Sequence, residues 1–263
     1  MSYPFEPETT GELCVDLFSG LRGGGSGFVK LGFRVIGVEL NGKVNTEAEE
    51  LHHYIESHVM SIFDIDEEWC KELIARHGKV KVVWASPPCT GFSVASCGHH
   101  WNPPAADGTR TPKSDKGRLA VQLVEHTLKV IEWLNPDYYW IENPVGILRK
   151  LPILNHLAHH KITYCKYGED RMKPTDLWGK FPDSWKPRPE CKNRSNRAGT
   201  VILPDGREFV LGDDGEPCHI VARRGMSTGT QGLKGNALRS VVAHELSLEV
   251  AQSVIDGDRE VWL

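Results

Sequence analysis

The chain has 263 residues, of which 40% are hydrophobic and 25% are charged, so it can bury a core and is not expected to be disordered. Its formal net charge of −4 argues against a strongly basic nucleic-acid binder, so any contact with a polyanion must come from a local cluster of cations. Seven cysteines without a CxxC pair, together with the lack of a secretory signal or a long apolar run, predict a cytoplasmic protein without disulfides or membrane spans.

Strand and helix patterns alternate in the first half of the chain. Residues 13–18 form an apolar strand pattern, and a glycine-rich loop follows it before a helical stretch begins. A second strand pattern at residues 34–38 ends in Glu39, about 20 residues beyond the loop, where Rossmann-type folds carry a ribose-binding carboxylate. The loop lacks the glycine fingerprint of nicotinamide sites, so the two features together indicate the adenosine of another cofactor.

The same alternation continues and predicts an α/β fold with a largely parallel sheet that helices cover. Ligands of such sheets bind at the carboxyl ends of the strands, and Gly20, Glu39 and Cys89 all fall there. We therefore expect one cleft to hold all three. The other predicted elements are strands over residues 80–84 and 138–141 and helices over residues 46–56, 67–76, 119–134 and 243–255, the last ending at Asp256-Gly257.

Cys89 is placed as a nucleophile at the end of a predicted strand. The preceding Pro87-Pro88 pair stiffens the backbone and cannot continue a central strand or helix, so the thiol is held at the strand end. The next strand delivers Glu142-Asn143-Pro144 to the same edge of the sheet. Residues 91–117 follow the thiol without sustained periodicity, which predicts a mobile lid over the site.

Turn residues and cations accumulate between residues 161 and 235. Residues 200–203 and 207–211 flank Pro204-Asp205-Gly206, a pattern that predicts a β-hairpin. The cations on either side of the hairpin predict a local basic surface for phosphates, although ordinary solvated charge is the alternative. These cations are Lys186, Arg188, Lys192, Arg194, Arg197, Arg223, Arg224 and Lys234.

Three motifs resemble, in order and spacing, the first, fourth and sixth motifs of the DNA cytosine-5 methyltransferases. They are Asp16-Leu17-Phe18-Ser19-Gly20, Ser86-Pro87-Pro88-Cys89-x-x-Phe92-Ser93 and Glu142-Asn143-Pro144. The overall form is similar to the short phage-borne members. The resemblance implies an α/β, Rossmann-like class I S-adenosylmethionine-dependent methyltransferase sheet with a small target-recognition region. The implied division is a catalytic and cofactor-binding domain (1–180), a target-recognition region (181–235) and a C-terminal helix that returns to the catalytic domain (236–263).

The resemblance also implies a reaction and its residues. Cys89 adds to C6 of a cytosine flipped out of double-stranded DNA, Glu142 holds or protonates N3, and Asn143 shapes the pocket. Arg171 contacts the base carbonyl. The enzyme is implied to be a monomer, and its methyl donor to be S-adenosylmethionine. The residues implied to bind this cofactor are Phe18, Gly20, Arg22, Gly23, Glu39, Asp64, Pro88 and Leu119.

Two positions depart from the family pattern. The usual Gly-Asp-Ile of the third motif is Met60-Ser61-Ile62 here, so either Asp64 recognises adenine or it is an ordinary helix-start residue. Arg22 stands where the family has a glycine. Its cation either faces solvent or DNA phosphate, or it pairs with the anionic group of a modified donor such as carboxy-S-adenosylmethionine, which would yield carboxymethylcytosine.

Three alternatives stay open at this level. An RNA cytosine-5 methyltransferase and a catalytically silent DNA-binding module have the same motifs or the same fold. A structural zinc is the third, because Cys165, Cys191 and Cys218-His219 could meet, as could Cys97 with the pair His99-His100. Neither set has zinc-finger spacing, so we predict no metal site and expect these side chains to be packing or surface groups.

Overall fold

The structure, a computed structural model, describes residues 11–94, 97–192, 199–212, 214–221 and 236–260. Its main feature is a seven-stranded β-sheet with a hydrophobic cluster and helices on each face. The strands are β1 (Leu13–Leu17), β2 (Arg34–Glu39), β3 (Glu56–Val59), β4 (Val80–Ala85), β5 (Tyr138–Pro144), β6 (Ala158–Thr163) and β7 (Pro174–Lys180). The helices are α1 (Ser26–Lys30), α2 (Gly42–Glu49), α3 (Glu67–His77), α4 (Cys97–His100), α5 (Asp115–Leu134), α6 (Asn236–Ser240) and α7 (His244–Glu260).

The strands lie in the order β3-β2-β1-β4-β5-β7-β6. Strands β1 to β5 are mutually parallel, whereas β7 is antiparallel to both of its neighbours, so β6 again runs parallel to β5. Every residue of β1 is buried, as expected for a central strand that is covered on both faces. This arrangement confirms the predicted α/β, Rossmann-like fold.

Alternate residues of the central strands supply two separate cores. Val15 and Leu17 of β1 belong to the cluster that α3 and α5 cover, and Cys14 belongs to the cluster that α1 and α7 cover. Leu246 and Val250 of α7 are fully buried in the second cluster, so this helix packs on the same face of the sheet as α1.

Several predicted helix boundaries are wrong, including the start of α5, which lies at Asp115 rather than residue 119. Helix α2 begins at Gly42 and ends at Glu49 rather than covering residues 46–56, because the Asn41 side chain caps its first turn by accepting hydrogen bonds from two backbone N–H groups. Helix α7 continues past Gly257 to Glu260. Gly257 therefore does not end the helix. It permits close packing instead, because a Cβ at this position would lie only 3.1 Å from Cβ of Pro182.

The segment after Cys89 is more ordered than predicted. It contains α4, and an antiparallel bridge joins Trp101 to Pro112 and closes its base. The Trp101 indole is 1% exposed, stacks on Phe92 and donates a hydrogen bond of 2.8 Å to the Gly91 carbonyl. Residues 102–109 form a continuous exposed stretch at the tip, and α4 and the bridge give the described residues on either side of it more regular structure than the sequence predicts.

A second, three-stranded antiparallel sheet consists of β8 (Thr200–Ile202), β9 (Glu208–Leu211) and β10 (Pro217–Ile220). The pairing of β8 with β9 confirms the predicted hairpin. Strand β10 was not predicted. The Ile220 amide donates a 2.9 Å hydrogen bond to the Asp170 carbonyl and joins this sheet to the segment between β6 and β7.

Among the described helices, none combines the length and the apolar character that crossing a membrane requires.

The contact between α1 and α7 leaves no room for a side chain at Gly27. A Cβ there would lie 2.1 Å from the Leu248 nitrogen, while the Gly27 amide donates a 2.8 Å hydrogen bond to Ser247 Oγ. We expect Gly27→Ala to lower the free energy of unfolding by about 3 kcal/mol or more in urea denaturation, because two helix backbones must separate. The control Gly98→Ala meets nothing within 4 Å and should change stability by less than about 0.5 kcal/mol. Equal stability of the two variants would contradict this packing.

Candidate active site

Cys89 and Glu142 lie at the carboxyl ends of two adjacent strands. Strands β4 and β5 pair in parallel, with Ala85 opposite Ile141, so both chains leave the sheet at the same edge. Cys89 begins a short 3-10 turn beyond Pro87, whereas Glu142 lies within β5. A 2.8 Å hydrogen bond from Asn143 Nδ2 to the Pro87 carbonyl ties the two segments together, so the thiol segment is fixed relative to the carboxylate.

Glu142 belongs to a buried group of charges. Its side chain is only 3% exposed and accepts a 3.0 Å hydrogen bond from the Tyr164 hydroxyl. The same oxygen lies 3.8 Å from Nζ of Lys173, whose ammonium also lies 4.2 Å from the centre of the Tyr164 ring. Burial lowers the pKa of Lys173, and the charge of Glu142 opposes that shift.

The thiol of Cys89 experiences both of these charges. Its burial raises the pKa above the ordinary value, the negative charge of Glu142 raises it further, and the positive charge of Lys173 lowers it. The resting thiol is therefore protonated at neutral pH. Any process that screens Glu142 or strengthens the positive field favours the thiolate.

Sequence reasoning missed Lys173 and Tyr164. Lys173 has a φ of +28°, an uncommon backbone conformation for a residue other than glycine, and it stands two residues beyond Arg171 at the entrance to β7. The sequence Arg171-Met172-Lys173 directly before β7 was the available signal. Alternate residues of an extended chain face the same side, so this pattern would have indicated that Lys173 lies on the same side as Arg171. No comparable signal marks Tyr164.

Arg171 and Asn143 have well-defined surroundings. Arg171 is 2% exposed, and its guanidinium donates two hydrogen bonds to Glu169 Oε2, at 2.9 and 3.0 Å, and one of 2.9 Å to the Arg239 carbonyl of α6. Arg171 thus connects the segment before β7 to α6. The Oδ1 atom of Asn143 is buried and has no hydrogen-bond partner in the described part of the chain. A polar group in this position needs a partner such as a bound ligand.

The loop after β1 forms a cradle at the carboxyl ends of β1 and β2. Phe18 and Gly20 have positive φ angles of 61° and 51°. The Gly20 amide donates a 2.9 Å hydrogen bond to Oε2 of Glu39, which holds the loop over the end of β2. The Ser19 hydroxyl is buried without a partner in the described residues. Gly23 has a packing role, since a Cβ there would lie 2.7 Å from the backbone of Val242.

Asp16 lies beneath this cradle, and the pKa of its carboxyl group is raised. Its carboxylate is 1% exposed and accepts hydrogen bonds from the Tyr54 hydroxyl, at 2.5 Å, and from the Gly25 amide, at 3.2 Å. Burial raises the pKa of Asp16 from its usual 3.8 to about 7, although the two hydrogen bonds favour the charged form.

The structure corrects the solvent-facing interpretation of Arg22. Arg22 is 2% exposed and has a left-handed φ of 62°, so it adopts the conformation for which the family uses glycine. Its guanidinium lies 4.5 Å from the Tyr54 ring centre and contacts polar groups of α2, β3 and the loop between them. These partners are the His52 carbonyl, Ser57 Oγ at 2.9 Å, Asn45 Oδ1 at 3.4 Å and Glu49 at 3.8 Å.

The remaining predicted cofactor residues lie on the surface. Asp64 accepts a 3.2 Å hydrogen bond from the Ser61 amide in a capping box, which is the helix-start role. Pro88 is exposed directly before Cys89, and Leu119 is 47% exposed in the first part of α5.

The predicted basic surface is only partly described. Arg188 forms ion pairs with Glu245 and Glu249 and is thus engaged within the protein. Lys186 is exposed. Arg194, Arg197, Arg223, Arg224 and Lys234 lie outside the described residues.

Several known proteins resemble this chain. The sequence profile of the family C-5 cytosine-specific DNA methylase matches residues 13–158, more than half of the chain. A Frog virus 3 protein assigned as a DNA (cytosine-5)-methyltransferase is 29% identical over 135 residues, which cover 48% of this chain and 59% of that protein.

Two solved structures are similar at lower identity. A prophage-encoded E. coli protein assigned as a DNA modification methyltransferase gives a TM-score of 0.48 at 19% identity, covering 68% of this chain and 51% of that one. A mutant of Spodoptera frugiperda DNMT2 gives a TM-score of 0.43 at 15% identity, covering 68% and 54%. The chain thus matches little more than half the length of these relatives.

The position of Lys173 predicts how Cys89 titrates. Lys173→Met removes a buried positive charge that lowers the pKa of Cys89, so the pH at which Cys89 becomes reactive should move upward. The measurement is the rate of iodoacetamide labelling of the Cys89 peptide, followed by mass spectrometry between pH 7 and about pH 10. Lys180→Met, at the exposed end of β7, should leave the profile unchanged. If the pH at which Cys89 becomes reactive is unchanged or lower in Lys173→Met, the positive charge of Lys173 does not lower the pKa of Cys89 and the prediction is wrong.

Asp16 predicts a pH dependence of stability. The pKa of Asp16 is about 7 in the folded protein and 3.8 ordinarily. The contribution of this residue to the free energy of unfolding is therefore fully present below about pH 4 and is lost as the pH rises through 7. Relative to Asp16→Asn, the wild-type protein should therefore lose about 3 kcal/mol of unfolding free energy between pH 5 and pH 8. Urea denaturation at both pH values measures this difference. Asp183 is exposed, so Asp183→Asn should show the same change in unfolding free energy between pH 5 and pH 8 as the wild-type protein. If Asp16→Asn also shows the wild-type change, the raised pKa of Asp16 is refuted.

Proposed function

Because this chain belongs to the C-5 cytosine-specific DNA methylase family, we propose that it transfers a methyl group from S-adenosylmethionine to C5 of a flipped-out cytosine in double-stranded DNA. The observation that carries the proposal is the fixed placement of a thiol and a buried carboxylate at one sheet edge, where the hydrogen bond from Asn143 to Pro87 joins the Cys89 and Glu142 segments. Cytosine C5 is unreactive toward electrophiles until a nucleophile has added to the ring, and this pair of groups provides such an addition.

Cys89 is the proposed nucleophile. Its sulfur forms a bond to C6 of the cytosine, and the displaced electron pair makes C5 nucleophilic. C5 then takes the methyl group, a base removes the proton from C5, and the elimination of the thiolate restores the aromatic ring. Burial and the charge of Glu142 oppose thiolate formation, whereas the charge of Lys173 favours it.

Glu142 is the proposed partner of the cytosine ring. Charge develops on N3 as the thiolate adds, and a carboxyl group beside N3 stabilises this charge by holding or donating a proton. The Tyr164 hydroxyl orients the carboxyl group at 3.0 Å. The buried Oδ1 of Asn143 offers an acceptor to the exocyclic amino group of the base.

The residues of the glycine-rich loop fit the proposed cofactor. S-adenosylmethionine supplies, when bound, a sulfonium methyl group. Phe18, Gly20 and the unpartnered Ser19 hydroxyl would hold its amino-acid part, and Glu39 at the end of β2 would hold the ribose. Gly23, Pro88 and Leu119 remain proposed contacts, whereas the capping box assigns Asp64 to the helix start. Arg22 supports the walls of α2 and β3, and its engaged guanidinium gives no support to a carboxylated donor.

The exposed tip at residues 102–109 is the proposed lid over the flipped base. The target carbon cannot be reached inside a duplex, so the base must leave the stack and be enclosed. Trp101 anchors the base of this loop to Gly91, two residues from Cys89, so a movement of the tip has a fixed pivot beside the nucleophile.

Product analysis tests the proposal directly. Duplex DNA incubated with the protein and S-adenosylmethionine should contain 5-methylcytosine by nucleoside mass spectrometry, and Cys89→Ala should abolish it. Glu142→Gln should lower the rate by about 10²–10⁴-fold, because proton transfer to the ring is lost. The matched control Cys97→Ala removes a thiol in α4 and should retain activity.

Parallel reactions separate the alternatives. Duplex containing 5-fluorocytosine should trap a covalent complex through Cys89, since fluorine cannot leave as a proton does. The absence of both product and trap would indicate a silent DNA-binding module. Product in tRNA alone would indicate an RNA methyltransferase, and carboxymethylcytosine formed from carboxy-S-adenosylmethionine would refute the choice of donor.

A further inference from the structure

Three cysteines and a histidine, far apart in sequence, meet beside the three-stranded sheet. Cys165 lies in the turn after β6, Cys191 follows β7, and Cys218 and His219 lie in β10. One ligating atom from each falls within 4.8 Å of all the others. Cys218 Sγ lies 3.5 Å from Cys191 Sγ, which in turn lies 3.8 Å from Nδ1 of His219.

The backbone of β10 is shaped to turn two successive side chains into this cluster. Neighbouring residues of a regular strand point to opposite faces. The register between β10 and β9 shifts between Pro217 and His219, so Cys218 is an extra residue opposite β9. As a result Cys218 and His219 are both buried, at 8% and 2% exposure. A β-bulge that re-aims a side chain is a feature expected of a binding site rather than of simple packing.

Although the spacing in the sequence predicts no metal site, we propose that these four side chains bind a structural zinc ion. Ligands at the distances typical of tetrahedral zinc lie roughly 3.4–3.8 Å from one another, which matches the separations of Cys191 Sγ from Cys218 Sγ and from His219 Nδ1. Three sulfurs and one nitrogen form a soft donor set that selects zinc over magnesium or calcium. With four protein ligands the site is closed, so it serves structure and leaves no position for substrate.

The zinc would compensate for a small core. The described part of the three-stranded sheet buries two large apolar side chains, Phe209 and Val210, apart from the ligands themselves. So few apolar residues cannot offset the conformational entropy of ordering a separate sheet. A metal that joins β10 to the segments around Cys165 and Cys191 supplies the missing free energy.

The site would also link this sheet to the proposed reaction centre. Cys165 directly follows Tyr164, which hydrogen-bonds to Glu142, and the Cys191 amide donates a 2.8 Å hydrogen bond to Thr163 Oγ1. The coordination requires three thiolates and a neutral imidazole, so binding displaces the thiol protons to solvent. No electron transfer is involved.

Metal analysis of the full chain, purified under reducing conditions from zinc-supplemented medium, tests the proposal. We expect one zinc per chain by elemental mass spectrometry. Replacement with Co²⁺ should give thiolate-to-cobalt charge-transfer bands and the intense visible bands of a tetrahedral site. Removing zinc with a chelator should lower the Tm, and adding zinc back should restore it.

Variants identify the ligands. Cys191→Ser and Cys218→Ser should each lose the metal, whereas His219→Cys, which supplies another zinc ligand, should retain it, shift the visible cobalt bands to longer wavelength and intensify the thiolate-to-cobalt charge-transfer band. Cys97→Ser is the matched control and should bind zinc normally, since within the described residues Cys97, His99 and His100 form no ligand cluster. Wild-type protein without zinc or cobalt bands would overturn the proposal. Loss of two hydrogens in the intact mass, placing a disulfide between Cys191 and Cys218, would overturn it as well.

Discussion

The buried ion pair between Glu142 and Lys173 constrains the geometry of the sheet edge that carries Cys89. Two charges removed from water are tolerated only when they face each other and their remaining polar atoms are satisfied, and removing one partner typically costs about 3–5 kcal/mol. The antiparallel strand β7 meets this need, because its reversed direction brings Lys173 to the edge where β5 ends. A parallel strand in the same place would begin at the opposite edge. The reversal of β7 therefore has an electrostatic role as well as a topological one.

The main elements of the fold could be predicted from apolar periodicity, and several of their ends to within one residue, whereas the ends of α2 and α7 could not. Strands β1 and β4 are nearly continuous apolar segments, which is the pattern of a parallel sheet covered on both faces. The start of α2 depends on a cap by Asn41, and the length of α7 depends on close packing of Gly257 against Pro182. Both are decided by individual contacts that periodicity does not detect.

Much of the candidate site could be placed from the sequence by one rule, that parallel strands deliver their following residues to one edge. This rule alone predicts that Cys89, Glu142 and Glu39 share an edge of the sheet. The rule does not apply to Lys173, which directly precedes the antiparallel strand β7, or to Tyr164, which lies in the turn after β6. The direction of the Arg22 side chain could not be predicted either, because a single long cation in a loop can point to either side and its partners lie between residues 45 and 57.

The cover of the sheet by α7 has a consequence for how the protein is made. Helix α7 shields the face that β1 and β4 present toward α1, and this face carries the large aromatic side chains Trp84 and Trp140. A ribosome producing the chain has already released all seven strands of the main sheet when that helix emerges. The nascent polypeptide therefore carries an uncovered, aromatic sheet surface until α7 has been synthesised, and chaperone binding during synthesis should concentrate on that interval.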